Sequence, residues 1–334
     1  MSSIGWDIGG VNVKVARVAG DEVSQALTES FSIEHDADRL SSVLERLGRD
    51  IGAKGCGHAV TMTAELSQRF RSKAEGVGFV LDAFAGAFPG ASMLVLDTAG
   101  LFRTPAEARA HPIEVSASNW TATAMVVAAE HPDVILLDMG STTTDIIPIE
   151  SGRVRALGRT DPDRLATGEL VYSGALRTPV EALVRAVPWR DGMALVSADG
   201  FAHTGDVHRW LGTLTGPTRD EPGTARDSRD HAGERLARVV CADRTMIDDH
   251  GITTIAAHVA EAQVASIATA VGRVLARHPR LTRAAVFGLG RPIAERAARA
   301  AGLEVIPLDG RWSDDASRAA PAVAVARLLE GLRD

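Results

Sequence analysis

Two segments far apart in this chain are built on one plan. The first reads Asp7-Ile8-Gly9-Gly10-Val11-Asn12-Val13-Lys14 and the second Asp138-Met139-Gly140-Ser141-Thr142-Thr143-Thr144-Asp145. Each follows an apolar run, each opens with Asp-x-Gly, and each carries a charged residue, Lys14 or Asp145, at the same later offset. A turn between two strands needs only one or two special residues. These turns spend most of their length on glycine, hydroxyls and carboxylates. Repetition of a supersecondary unit constrains the whole fold. Here it predicts two similar lobes, each presenting one hairpin tip to a central cleft.

The rest of the chain alternates strand and helix patterns, which places it in the α/β class. Residues 4–18 read as strand, tight turn and strand. Residues 37–50 put Leu40, Val43, Leu44 and Leu47 on one helical face. Helices are expected over 67–76, 116–132, 252–277 and 319–332. Residues 283–308 read as strand, glycine turn, helix and strand. The expected division is a first lobe over 1–130, with 319–334 packing back on it, and a second over 131–318. Gly, Pro and charged residues without periodicity predict a mobile insertion at 215–234.

The chemistry follows from the residue types at the two tips. Glycine lets the backbone approach a ligand closely. Successive N–H groups in such a turn form a concave anion site, so Gly9, Gly10, Asn12, Gly140, Ser141, Thr142 and Thr143 read as a phosphate cradle. Asp7 and Asp138 at the strand ends would repel bare phosphate. They make sense with a hard cation, and Mg²⁺ binds through one or two carboxylates, water and phosphate oxygens. Lys14 would neutralise a diphosphate.

Composition narrows the partners. A net charge of -7 argues against a general nucleic-acid binder. A single tyrosine and 4% aromatics leave no platform for stacking bases. The two cysteines, Cys56 and Cys241, fit no metal motif and read as reduced thiols. No apolar run reads as long enough to span a membrane, and the N-terminus shows no signal-peptide pattern. A cytoplasmic enzyme without nucleic-acid or membrane partners is expected. Whether it forms a homo-oligomer stays open.

The double hairpin resembles the acetate kinase–sugar kinase–Hsp70–actin superfamily, whose lobes each supply one phosphate loop. The stretches VTMTAELSQRF, SASNWTATA, LLDMGSTTTDIIPI, TGELVYSGALRTPV and VCADRTMI are similar to a small branch related to the hydantoinase A and oxoprolinase subunits. That branch is labelled as tetrahydromethanopterin-linked one-carbon transfer proteins, and its archaeal members include methanofuran synthases. The resemblance implies a duplicated, actin-like (ribonuclease H-like) two-lobed fold. It also implies a Mg²⁺-dependent transferase: the phenol of γ-glutamyl-tyramine attacks an aminomethylfuran carbon bearing diphosphate, and pyrophosphate leaves. An ATP-dependent small-molecule kinase or ATPase, and a non-catalytic scaffold, are the alternatives.

Nucleotide-binding members carry paired glycines late in the chain. Here Gly288-Leu289-Gly290 separates them and puts a leucine in the turn, which tells against an adenosine site while leaving Gly288 and Gly290 for diphosphate. Arg291 either grips a substrate anion or is a solvated helix-start residue. Asp145 either accepts the phenolic proton or caps its turn. Glu169 is a second candidate base, or else a solvated loop carboxylate. Glu65 and Asn119 fall in the family-like stretches and are expected to line the substrate site. Asp206 and His208 have ligand-like spacing but read as a helix cap and a surface histidine.

Overall fold

Ser3–Ile8 is buried at every position, the mark of a central strand rather than an edge. The computed structural model describes residues 2–20, 22–214, 228–308 and 312–332. Contacts divide the chain into two compact units: residues 1–134, 149–164 and 307–334 form the first, 135–148 and 165–306 the second. An unbroken second lobe over 131–318 is therefore corrected. The second hairpin returns its distal end, from Ile149, to the first unit, and residues 307–318 follow it.

In the first unit the strands are β1 (Ser3–Ile8), β2 (Asn12–Ala19), β3 (Glu22–Ser30), β4 (Gly57–Met62), β5 (Met93–Leu96) and β6 (Phe102–Arg103). They lie in the order β3-β2-β1-β4-β5-β6. β1, β4 and β5 run parallel, while β2 and β3 are antiparallel to their neighbours. β3 was not legible in the sequence, because most of its residues are polar and only partly covered.

The second unit is built on β7 (Val134–Met139) and β8 (Thr144–Glu150), while β9 (Arg153–Val154), paired to the end of β8, falls in the stretch 149–164 that belongs to the first. β10 (Leu170–Val171), the separate hairpin β11 (Ala186–Trp189) and β12 (Gly192–Leu195), β13 (Arg283–Phe287) and β14 (Glu304–Val305) complete it. The main sheet runs β10-β8-β7-β13-β14. Strand for strand this repeats β3-β2-β1-β4-β5, with β7, β13 and β14 parallel and β10 antiparallel to β8. The repeat seen in two hairpins thus extends to five strands of each sheet.

Helices depart from expectation in three places. The helix expected over 67–76 begins later, at Lys73, and runs to Ala87. Its start is set by Ser72, whose hydroxyl accepts the Glu75 amide hydrogen bond. The expected loop at 215–234 falls partly outside the described residues, at 215–227, but 229–234 is helical, within Arg229–Arg238. That helix buries Ala232, Gly233 and Leu236, a face too small-sided to show as periodicity, and Gly233 packs against the Trp210 ring. The Asp249–Leu275 helix is long and apolar enough, by length and composition, to cross a membrane. This corrects the reading that no such run exists. Its Ile252, Ile255, Val259, Ile267 and Val271 are buried in the cores of the second unit.

The Ala320–Glu330 helix packs on β1 and explains Gly5. A Cβ at Gly5 would stand 1.9 Å from the Ala322 carbonyl oxygen and 2.8 Å from the Ala326 nitrogen. Backbone cannot yield as a side-chain tip can. Gly5→Ala is therefore expected to destabilise the protein by about 2–4 kcal/mol, at or beyond the upper end of ordinary overpacking, read as a drop in denaturation midpoint.

Beside it, His58 is buried among Trp6, Phe84 and Phe88, and its Nδ1 accepts the Trp6 indole N–H at 3.1 Å. Burial pushes its pKa down to about 4. The unfolded chain, with an ordinary histidine near 6.5, binds the proton more readily. Stability from this group is therefore full above about pH 6.5 and falls as pH drops towards 4. His58→Phe should flatten that part of a stability-versus-pH curve measured by chemical denaturation.

Candidate active site

The tip of the first unit is closed by one backbone bond, Gly9 N–H to the Asn12 carbonyl, at 2.9 Å. Asp7 faces Lys14 across the β1/β2 ladder, so the pairing register itself delivers the ion pair. Lys14 Nζ lies 3.2 Å from Asp7 Oδ2, and the Thr61 hydroxyl donates to Oδ1 at 3.3 Å. Thr61 comes from β4, the parallel neighbour of β1. Just beyond, the Thr63 amide donates to the Ile8 carbonyl at 3.0 Å, tying the two strand ends together.

Glu65 follows at once, in the single 3₁₀ turn Ala64–Leu66. It is 1% exposed, no side chain hydrogen-bonds either carboxylate oxygen among the described residues, and the backbone amides of Glu65 and Ala117 give it weak support. Lys73 Nζ is 3.8 Å from Oε1 and is itself held by Asp161 at 3.3 Å. Burial pushes the Glu65 carboxyl up to about 7, against the weaker downward pull of Lys73. A bridge between Met62 and Ser116 brings the start of the Asn119–Glu130 helix to the same strand end. Asp7, Gly9, Gly10, Asn12, Lys14, Glu65 and Asn119 therefore gather at the carboxyl ends of β1 and β4. Open α/β sheets bind ligands at that edge.

The second unit repeats the tip. Gly140 N–H donates to the Thr143 carbonyl at 3.0 Å, and the Ser141 and Thr142 hydroxyls are 3.4 Å apart, both partly exposed. The following segment braces this turn from behind. Ala175 N–H donates to the Gly140 carbonyl at 2.9 Å, and the Leu176 and Arg177 amides both donate to the Ser141 carbonyl at 3.0 Å. Gln263 anchors the brace, donating to Gly174 O at 2.8 Å and Ser173 Oγ at 3.0 Å. His208 Nε2 lies 2.7 Å from the Gln263 Oε1 acceptor. His208 is fully buried, with its pKa lowered by desolvation, so it is no surface histidine. Asp206 caps its helix at the His203 amide, 3.0 Å away, and pairs with Arg235 Nε at 2.8 Å.

Asp138 is buried at the end of β7. Gly288, at φ +91°, lies so close that a Cβ there would meet Met139 O at 2.4 Å and Asp138 Oδ1 at 2.6 Å. Gly290 N–H donates to Met139 O at 2.9 Å. Close packing against this strand end is sufficient reason for both glycines. Leu289 packs on the core of the second unit, so its side chain gives no support to a blocked adenosine site. Arg291 is tied to Glu295 of its own helix at 2.8 Å.

Asp145 and Glu169 lie together where β10 begins to pair with β8. Asp145 is buried within β8 opposite Leu170, so it caps no turn, and the Ile146 amide donates to the Glu169 carbonyl at 2.9 Å. Glu169 is fully buried with Arg277 at 3.5 Å, which corrects the solvated-loop alternative. Thr61, Lys73, Asp161 and Gln263 were missed from sequence. Lys73 and Asp161 meet only through folding, and no local signal joins them.

A family model described as Hydantoinase/oxoprolinase matches residues 57–331. The chain belongs to the hydantoinase/oxoprolinase family. This family member is 35% identical over 337 residues to the Methanocaldococcus jannaschii protein named (4-{4-[2-(gamma-L-glutamylamino)ethyl]phenoxymethyl}furan-2-yl)methanamine synthase, covering 98% of this chain and 97% of that one. It is 33% identical over 202 residues to a protein of the same name from Methanococcus vannielii, covering 59% of this chain and 90% of that one. Among solved structures, nucleotide-free acetone carboxylase matches with a TM-score of 0.59 at 10% identity, over 96% of this chain and 70% of that one. A ROK family glucokinase from Streptomyces griseus matches at 0.50 and 13% identity, over 98% and 99% of the two chains. At such identity the likeness speaks for the fold alone: the family member has the duplicated, two-unit actin-like fold.

Replacing the brace is the direct check on the second tip. Gln263→Leu leaves His208 Nε2 buried without this partner, while Gly174 O keeps the Thr204 hydroxyl at 2.9 Å. One such orphan costs about 1–3 kcal/mol, so a loss of that size is expected in chemical denaturation, with weaker pyrophosphate binding by calorimetry.

Proposed function

We propose that this protein is an ether-forming synthase. It joins the phenol of γ-glutamyl-tyramine to the methylene carbon of an aminomethylfuran that bears diphosphate, and pyrophosphate leaves. The observation that carries the reading is end-to-end similarity to a relative whose printed name describes a phenoxymethyl-furan methanamine. A phenoxymethyl group is what phenol oxygen and furan methylene make when joined. The two tips support the diphosphate part, since each is a half-exposed turn of amides with Lys14 or hydroxyls beside it.

The residues divide the work. A turn of this kind, Gly9–Asn12 in one unit or Gly140–Thr143 in the other, offers donors for charge that builds on a departing diphosphate, the usual largest source of rate enhancement. Lys14 neutralises that charge. A furan-methylene carbon tolerates partial positive charge, so holding the phenol oxygen in line supplies much of the rest. Asp7 and Asp138 are the hard oxygen donors that would take Mg²⁺. A carboxylate at the end of a strand fits an ion that completes its shell with water and substrate oxygens. When bound, Mg²⁺ would offset negative charge on the diphosphate.

The test is pyrophosphate release from 5-(aminomethyl)furan-3-ylmethyl diphosphate with γ-glutamyl-tyramine, with and without Mg²⁺. Release that needs both organic substrates and the metal is expected. Asp7→Asn and Asp138→Asn should each lower turnover by about 10²–10³ while keeping the wild-type melting temperature within a few degrees. No release under any of these conditions overturns the reading. Near-normal turnover by either variant at saturating Mg²⁺ removes that carboxylate from the site.

A further inference from the structure

Glu65 is a buried carboxylate for which the fold itself gives no use. Taking an ionised carboxylate out of water is costly unless it is paired and hydrogen-bonded. Most buried polar atoms have such partners, yet no side chain hydrogen-bonds either Glu65 oxygen among the described residues, and only the backbone amides of Glu65 and Ala117 support the carboxylate. Lys73 is too far for a hydrogen bond at 3.8 Å, and is turned partly to Asp161. The arrangement is also well placed. Glu65 stands three residues past β4, whose end is tied to the Asp7-Ile8-Gly9 turn by the bond from Thr63 to Ile8. The Ser118 and Thr121 hydroxyls, at the start of the neighbouring Asn119–Glu130 helix, are buried without partners among the described residues. A weakly supported buried carboxylate with unpartnered hydroxyls near it, at the ligand-binding edge of a sheet, is an arrangement suited to a polar ligand.

We propose that Glu65 is the general base of the synthase, accepting the phenolic proton as the ether bond forms. The inference rests on the ether-forming reading above. In the step the phenol O–H breaks and its oxygen bonds to the furan methylene. The carbon–oxygen bond to diphosphate breaks, and its electron pair leaves with diphosphate. The proton goes to a Glu65 oxygen and then to solvent. Lys73, one-fifth exposed beside the carboxylate, marks the side from which the hydroxyl arrives. Its charge keeps Glu65 ionised enough to act, while Asp161 holds Lys73 in place. Chemistry favours Glu65 over an ordinary surface carboxylate. A phenol loses its proton near pH 10 and an exposed glutamate near 4.3. Glu65, raised to about 7 by burial, closes roughly half that gap, and a base poised near working pH is the effective one.

Three measurements decide the matter. Wild-type kcat/KM should rise with pH through an inflection near 7, the base being active when ionised. Glu65→Gln should lose about 10²–10³ in kcat, in the range for general-base catalysis. It should lack that inflection and bind pyrophosphate as wild type does. The loss should shrink for ring-fluorinated tyramine acceptors, whose more acidic phenols need less help from a base, and Glu65→Asp should recover part of the rate. A loss equal for all acceptors with the inflection retained makes Glu65 structural and overturns the proposal. If Glu65→Gln does not fold, the wild-type profile and the acceptor series on Glu65→Asp decide, and a flat wild-type profile around pH 7 overturns it. If wild-type protein neither releases pyrophosphate nor binds γ-glutamyl-tyramine by calorimetry, the ether-forming reading fails and the base role falls with it.

Discussion

Everything at the two tips depends on how a buried parallel strand ends. β1 and β7 are apolar along their length and stop at Asp-x-Gly, where the chain must reverse. In each case the glycine amide folds back onto the carbonyl three residues on, Gly9 to Asn12 and Gly140 to Thr143. That bond closes the turn and leaves the intervening amides and side chains facing outward. The parallel neighbour, β4 or β13, then adds its own exit loop against the same strand end, through Thr63 in one unit and Gly290 in the other. A ligand edge arises twice from one piece of backbone geometry, and the side chains placed on it differ.

The differences are chemically informative. The first tip carries a lysine paired with a buried aspartate, and next to it Glu65 with Lys73 beside it. The second carries hydroxyls on a turn held from behind by residues 173–178 and Gln263, with Asp138 buried at the strand end. One unit thus combines a cation with a titratable carboxylate, and the other presents a hydroxyl-rich turn beside a carboxylate.

Much of this was legible before folding was considered. The Asp-x-Gly repeat, the strand beginnings and the long apolar helices are written in local pattern, because period and turn chemistry depend on near neighbours. Asp7 and Lys14 were both readable as residues of the first tip, but that the hairpin register sets them opposite each other as an ion pair came from the structure. Glu169 and His208 were misread because burial is not local. Glu169 looks like any polar residue after a glycine until Arg277, more than a hundred positions on, closes over it. The Arg229–Arg238 helix hid for a related reason: its core face is alanine and glycine, which pack against a tryptophan without an apolar stripe.

The sequence by itself determined the α/β class, the duplication and the chemical character of each tip, since these follow from residue type and spacing along a few turns of chain. Only the tertiary structure decided which ionisable groups are withdrawn from water and who stands beside them. Glu65 became a poised carboxylate because packing buried it with no side-chain hydrogen bond among the described residues and set Lys73 at 3.8 Å. Desolvation and charge proximity are properties of space, not of order along the chain.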